Sequence, residues 1–341
     1  MGESVPLKLE KVSFSFGKHR AIEDVSLEVD RGEIVAVVGP ERSGKSTLVR
    51  AALGLVRPAG GAVEVFGEDL ASSGPAPLRR VGACLRPPAF HDNWTGRRNL
   101  QYAADLRGFR DEQRVNWSIS RLGLGSRADE RVSGYGHSLR QRLALARALV
   151  GGPSLLVLDE PAKGLDEEVS RRFRGLLVRL ARDAGVGTLF TTDSLETALE
   201  CAGRVIVMEG GRVIHSGPAA QIRAAGNESV VTLERAERAA EELVRVRGVA
   251  ADLTSPETIR FDSTVDIADV VSWLVSRGFR LIGLYTQQLT LEELLVRLSR
   301  GPLPEAPAAA PKPEEVSDVL ALLDDGDADL SAFLTKPAGT E

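Results

Sequence analysis

Cysteine is scarce: Cys84 and Cys201 are the two in 341 residues. That excludes a disulfide framework or a cysteine-rich zinc site, and both read as reduced thiols. Long hydrophobic runs are missing too. No stretch approaches the ~18 apolar residues of a membrane span. The opening Met1-Gly2-Glu3-Ser4-Val5-Pro6 has no apolar signal-peptide core. Basic excess is also lacking: 43 Lys and Arg against 48 Asp and Glu give a net charge of −5. This excludes the basic stripe of a nucleic-acid binder and direct adhesion to anionic lipid. The expectation is a cytoplasmic chain. If it works at a membrane, another chain crosses for it.

What is present is ordinary globular composition, 43% hydrophobic and 27% charged. The length suits about two domains. Leu7–Phe16 alternates imperfectly and reads as an edge strand, with Ala21–Val29 a second strand. Glu33–Val38 and Ser154–Leu158 are short apolar runs, as expected for strands buried on both faces of a parallel sheet. Lys45–Leu55, Leu139–Leu149 and Val169–Ala184 read as helices. Ser138 and Gln141 form a capping-box pattern at the start of the second of these. Ala76–Val150 as a whole reads as mostly helical. Thr188–Thr192 is a strand, and Arg204–Met208 with Arg212–Ser216 a hairpin about Gly210-Gly211. Strands alternating with helices predict a largely parallel α/β sheet.

The pattern changes after about residue 225. Ser229–Leu233, Thr258–Phe261 and Leu281–Tyr285 read as strands, and Ala236–Arg245, Ile267–Arg277 and Leu291–Leu298 as helices. The expected division is residues 5–225, then a small α+β domain over 227–301. A Pro/Ala linker and disordered acidic tail occupy 302–341. Within that tail Val316, Val319, Leu320 and Leu323 share helical spacing, which also allows a short docking segment for a protein partner.

Two motifs carry chemistry. Gly39-Pro40-Glu41-Arg42-Ser43-Gly44-Lys45-Ser46, followed by Thr47, fits a phosphate-binding loop between a strand and a helix. Its backbone N–H groups and the helix start attract phosphate. Lys45 would reach the β- and γ-phosphates of ATP, and the Ser46 hydroxyl would bind Mg²⁺. Leu155-Leu156-Val157-Leu158-Asp159-Glu160 is an apolar strand ending in two acids. Asp159 would hold Mg²⁺ through water, and Glu160 would polarise the attacking water.

With these motifs in order, residues ~7 to ~225 resemble an ABC transporter ATPase domain. That implies a P-loop NTPase fold with a helical subdomain over about 86–150. Gly151–Asp166, read as GGPSLLVLDEPAKGLD, is similar to the family's magnesium strand and dimer loop. The resemblance implies that Asp166 contacts an opposite subunit and that Phe16 stacks on adenine. It implies two partners, a transmembrane permease subunit and a second ATPase domain. The location implied is peripheral, on the inner face of the cell membrane, with Ala89–Leu100 as the surface toward the permease. Residues 227–301, ending in Leu289-Thr290-Leu291-Glu292-Glu293, resemble the C-terminal domain of drug- and polysaccharide-exporting ATPases.

Four positions depart from the family pattern. Its metal-bridging glutamine aligns with Arg86 and its switch histidine with Asp193. Its signature Leu-Ser-Gly-Gly-Gln aligns with Tyr135-Gly136-His137-Ser138-Leu139, and Arg42 stands where a small residue is usual. Asp193 brings negative charge near the γ-phosphate, and loss of a positioned proton-handling group costs about 10²–10⁴ in rate. Gly136 removes a hydroxyl whose charge-assisted bond would be worth roughly 1.5–3 kcal/mol. The opposite charges of Arg86 and Asp193 suggest a pair. These departures leave two function classes. One is an ATPase driving membrane transport or export, with an unequal heterodimer partner or slow homodimer turnover. The other is a regulatory or scaffolding subunit that binds ATP without turning it over. A soluble ABC protein acting on ribosomes or DNA would need tandem ATPase domains, a coiled-coil insertion or a basic face, none of which the sequence has.

Overall fold

The computed structural model describes residues 4–108, 111–226, 228–261, 267–287, 289–301 and 303, in two compact units that meet in sequence between Ser216 and Gly217. The acidic tail and its helical pattern lie outside the described residues.

The first unit begins with β1 (Leu7–Phe16) and β2 (His19–Val29), followed by β3 (Ile34–Val38), α1 (Lys45–Ala52), β4 (Gly60–Val65) and β5 (Glu68–Asp69). Then come α2 (Leu70–Ser73), β6 (Val81–Cys84), α3 (Gly96–Leu106), α4 (Glu112–Arg121) and α5 (His137–Leu149). The unit ends with β7 (Leu155–Asp159), α6 (Glu167–Ala184), β8 (Gly187–Thr192), α7 (Leu195–Cys201), β9 (Arg204–Glu209) and β10 (Arg212–Pro218).

Two sheets form. One has the order β2-β1-β4-β5 and the other β10-β9-β3-β8-β7-β6. In the second, β9, β3, β8, β7 and β6 run parallel. Every residue of β3, β7 and β8 is buried, as unbroken apolar runs require when both faces are covered. Buried side chains of both sheets join α1 in one core, where Leu48, Val49, Ala51 and Ala52 are buried. The carboxyl ends of β3 and β7 therefore open at one place, and α1 starts there.

Three sequence expectations are corrected. β1 is an interior strand, paired antiparallel with β2 on one side and β4 on the other. Its alternation is imperfect because the register slips between Leu9 and Val12, with Lys11 at φ 49. Such a bulge mimics the weak pattern of an edge. The segment 76–150 is not all helical, since β6 adds a parallel strand beside β7. β6 has only four residues, and Gly82 lets α5 lie close, for a Cβ there would meet the Ala148 carbonyl oxygen at 2.2 Å. The Ser138–Gln141 capping box does not form. Gly136 is the N-cap of α5 with no side-chain bond, and Gln141 points elsewhere.

The second unit has α8 (Ala219–Gly226), β11 (Glu228–Leu233), α9 (Ala236–Arg247), β12 (Asp252–Ser255), β13 (Thr258–Phe261), α10 (Ile267–Ser276), β14 (Leu281–Gln287) and α11 (Leu291–Arg300). Its sheet has the order β12-β13-β11-β14. Val231, Leu233, Ile259, Phe261 and Leu274 anchor its core. Thr290 and Glu293 form a reciprocal capping box on α11.

Candidate functional site

The loop after β3 is shaped by glycines that no other residue could replace without displacement. A Cβ at Gly39 would meet the Met208 carbonyl oxygen at 2.2 Å, and one at Gly44, where φ is 102°, would meet that of Ala21 at 2.4 Å. Arg42 takes the left-handed conformation at φ 66, unusual for a residue with a long side chain. Lys45 is buried and folds its ammonium back, donating to the carbonyl oxygens of Gly39 at 2.6 Å and Pro40 at 2.9 Å. Burial lowers its pKa, against the pull of Glu160 and other nearby carboxylates.

Across the loop, β7 delivers Asp159 and Glu160. The Asp159 carboxylate Oδ1 accepts from the Ser46 hydroxyl at 3.0 Å and from the Thr191 hydroxyl at 2.7 Å. Thr191, at the end of β8, also accepts the backbone N–H of Glu160 at 3.0 Å. One hydroxyl thus fixes both acids. Glu160 is in the left-handed region at φ 49. The carbonyl beyond it is held by the Gln141 amide, which donates to Pro161 O at 2.9 Å. Burial, then the charge of Asp193, raises the Glu160 pKa.

Arg42, Lys45, Ser46, Asp159 and Glu160 line one cavity of about 620 Å³, together with Phe16, Glu41, Arg86 and Asp193. Ser43, Gly44 and Thr47 also face it, while Gly39 and Pro40 contribute the carbonyls that receive Lys45. Phe16 is 54% exposed at the rim, edge-on to Phe14 with centroids 4.9 Å apart. Gly136, His137 and Ser138 are not in this cavity. They begin α5, where the His137 ring lies against Gly164; a Cβ on that glycine would meet Nδ1 at 2.1 Å. The Ser138 hydroxyl oxygen is buried with no hydrogen-bond partner among the described residues. Asp166 caps α6 by accepting Val169 N–H at 3.0 Å and pairs with Arg142 at 2.5 Å.

The expected Arg86–Asp193 pair is absent. Asp193 pairs with Lys163 at 2.9 Å, which holds the carboxyl below the usual aspartate range and raises the lysine. Arg86 makes no ion pair among the described residues. Sequence reading missed Lys163, Thr191 and Gln141. Lys163 stands in the Ala162-Lys163-Gly164 turn three residues after Glu160, and Thr191 two before Asp193, so proximity to the motifs was their only signal.

Two oxygens, from Ser46 and Asp159, sit 3.0 Å apart on the cavity wall. This fits a hard divalent cation that completes its shell with phosphate oxygens and water. No cluster of three or more His, Cys, Asp or Glu able to hold a metal occurs among the described residues, so the protein alone would supply only part of such a shell.

A sequence profile of the ABC transporter family matches residues 22–163. A sulfate/thiosulfate import ATP-binding protein of Agrobacterium fabrum is 34% identical over 252 residues, covering 72% of this chain and 71% of that protein. The daunorubicin/doxorubicin resistance ATP-binding protein of Streptomyces peucetius is 35% identical over 217 residues, 63% of this chain and 66% of that protein. The chain spans a little under two thirds of the length of several other curated relatives it matches. A solved ATP-binding subunit of an ABC transporter superposes with a TM-score of 0.60 at 28% identity, over 64% of this chain and 91% of that one. With its phosphate loop, acid-tipped strand and matching relatives, this chain belongs to the ATP-binding proteins of the ABC transporter family.

Proposed function

We propose that this chain binds Mg-ATP in the cavity between α1 and β7 and that binding and hydrolysis drive a shape change in a separate membrane subunit. The observation that carries this is the convergence of Lys45, Ser46, Asp159 and Glu160 on one cavity from sequence positions 113 residues apart. The N–H groups of 39–47 and Lys45 bind the phosphates, Ser46 and Asp159 hold Mg²⁺, and Phe16 offers its face to adenine. The metal, when bound, neutralises charge on the phosphates. Glu160 orients and takes a proton from water, and its raised pKa suits a base better than an ordinary carboxylate does.

No helix among the described residues is long and apolar enough to cross a membrane. A cytoplasmic subunit on the inner face of the membrane, working with a transmembrane permease and a second ATPase domain, fits that observation. We take the ATPase unit to run to about residue 225, followed by the α+β domain.

A second reading has a specific observation behind it. α5 begins at Gly136 without a side-chain hydroxyl, and Asp193 stands at the switch position, so ATP binding without turnover is the competing outcome. Binding and turnover measured on the same purified chain, beside Lys45→Ala, separate the two. Turnover that falls on the order of 10²-fold or more in Lys45→Ala supports an ATPase. Binding without turnover in the unaltered chain supports the regulatory subunit.

A further inference from the structure

We infer that Lys163, presented by Asp193, is a cation that contacts the terminal phosphate of a bound nucleoside triphosphate, so that the pair distinguishes tri- from diphosphate. The inference rests on the reading of this cavity as the ATP site.

Charge on the cavity wall supports it first. The lining residues include four cations, Arg42, Lys45, Arg86 and Lys163, and four carboxylates, Glu41, Asp159, Glu160 and Asp193. The charges of the wall are therefore balanced. A triphosphate adds several negative charges, and Asp193 and Glu160 both repel them. Lys163 is in ion-pair contact with one of these acids and feels the charge of the other. Lys45 and Lys163 line the same cavity, and the charge of Lys163 contributes to lowering the Lys45 pKa.

Donor geometry supports it next. An ammonium has three N–H donors. Among the described residues Lys163 uses its Nζ toward Asp193 alone, at 2.9 Å. Its other N–H donors have no protein partner among the described residues, and Lys163 lines the cavity. Its backbone is fixed by a tight turn, with Lys163 N–H donating to Glu160 O at 3.2 Å and Leu165 N–H to Ala162 O at 3.0 Å. Gly164 follows at φ 84. The lysine is thus tied to the backbone of the residue proposed to orient water. Asp193, on the turn between β8 and α7, acts as a positioning residue. It holds the ammonium over the cavity and remains bonded to it when phosphate arrives. A carboxylate at this position is compatible with a phosphate neighbour only because it arrives already paired.

The test uses the full chain and equilibrium binding, by calorimetry, of the Mg²⁺ complexes of ADP and of the non-hydrolysable β,γ-imido analogue of ATP. Both Lys163 and Asp193 are over 40% exposed, so their variants should fold, which a thermal melt checks. Lys163→Met is expected to weaken the triphosphate by about 10-fold or more, the size of a lost charge-assisted bond, and the diphosphate by less than about 2-fold. Lys163→Arg should stay within about 3-fold for both, since it keeps the charge. Lys163→Met with Asp193→Asn should remain as weak toward triphosphate as Lys163→Met. Equal loss for both nucleotides, or no loss, overturns the inference. So does full recovery in the double variant, which would make Lys163 only a neutraliser of Asp193. Lys45→Ala must lose both nucleotides; if it binds them as the unaltered chain does, the ATP-site reading itself fails and takes this inference with it.

Discussion

The cavity has two walls built on different terms. The wall of Lys45, Ser46, Asp159 and Glu160 rests on backbone conformation and buried hydrogen bonds. Two glycines have no room for a side chain, and Asp159 is held by two hydroxyls. The wall of Arg86, Lys163 and Asp193 is half exposed and made of flexible charged side chains. On the resemblance read from the sequence, the first keeps the expected family pattern and the second departs from it at Arg86 and Asp193. A wall that depends on backbone shape admits few substitutions, because each one must move carbonyl groups. A wall of exposed charges can be rewritten, because an ion pair asks only for a partner within reach.

Breaking the first wall should have the largest effect. Glu160→Gln is expected to lower turnover by about 10²–10⁴-fold while leaving nucleotide binding in place; steady-state hydrolysis and equilibrium binding on one preparation check both halves. Next comes Thr191→Val, which removes a donor to Asp159 and an acceptor for Glu160 N–H at once. Leaving a buried polar group unpaired costs about 1–3 kcal/mol. For a unit of roughly 200 residues, each kcal/mol lowers Tm by about 2–4 °C. An unchanged melting temperature would show that the two acids are not held as described.

The comparison can be sharpened at a third position that departs from the expected family pattern, Gly136, which lies outside both walls. Nothing lies within 4 Å of a Cβ at Gly136, and its backbone is extended at φ −70. Gly136→Ser should therefore fit and cap α5. If two ATPase domains close on each other's nucleotides, the added hydroxyl should raise turnover by up to about 10-fold, the rate equivalent of 1.4 kcal/mol. Turnover no higher than the unaltered chain's would mean that this helix start does not meet phosphate.

The smallest effect belongs to neither wall. His215 on β10 has a buried Nε2 without a hydrogen-bond partner among the described residues, and burial lowers its pKa below 6.5. Unfolded, it binds a proton near 6.5; folded, only at lower pH. Its contribution to stability is complete above 6.5 and is lost as pH falls below that value. Urea unfolding of His215→Gln should thus show a shallower loss between pH 6.5 and 5.5 than the unaltered chain.

Legibility followed the same division. Glu33–Val38 and Ser154–Leu158 announced buried parallel strands, and the structure has β3 and β7 there. Their continuous apolar character reflects burial on two faces. β1 was misplaced at an edge because a bulge at Lys11 interrupts its alternation. β6 was lost because four residues give too short a period to detect beside helical neighbours. Ser138 and Gln141 have capping-box spacing, yet Gln141 serves the Pro161 carbonyl across the fold. Local spacing cannot reveal a partner that arrives from a turn distant in sequence.

The sequence by itself determined the loop 39–47 and the acids at 159–160. These depend on neighbouring residues, a turn that only glycine allows and a strand whose end opens into the cavity. The partner of Asp193, and the hydroxyl that binds Asp159 to Glu160, were decided by the tertiary structure alone. Lys163 and Thr191 reach them through the parallel pairing of β7 with β8. Which charges meet across two strands depends on register and on the turns that follow, and neither is written in the spacing of one segment.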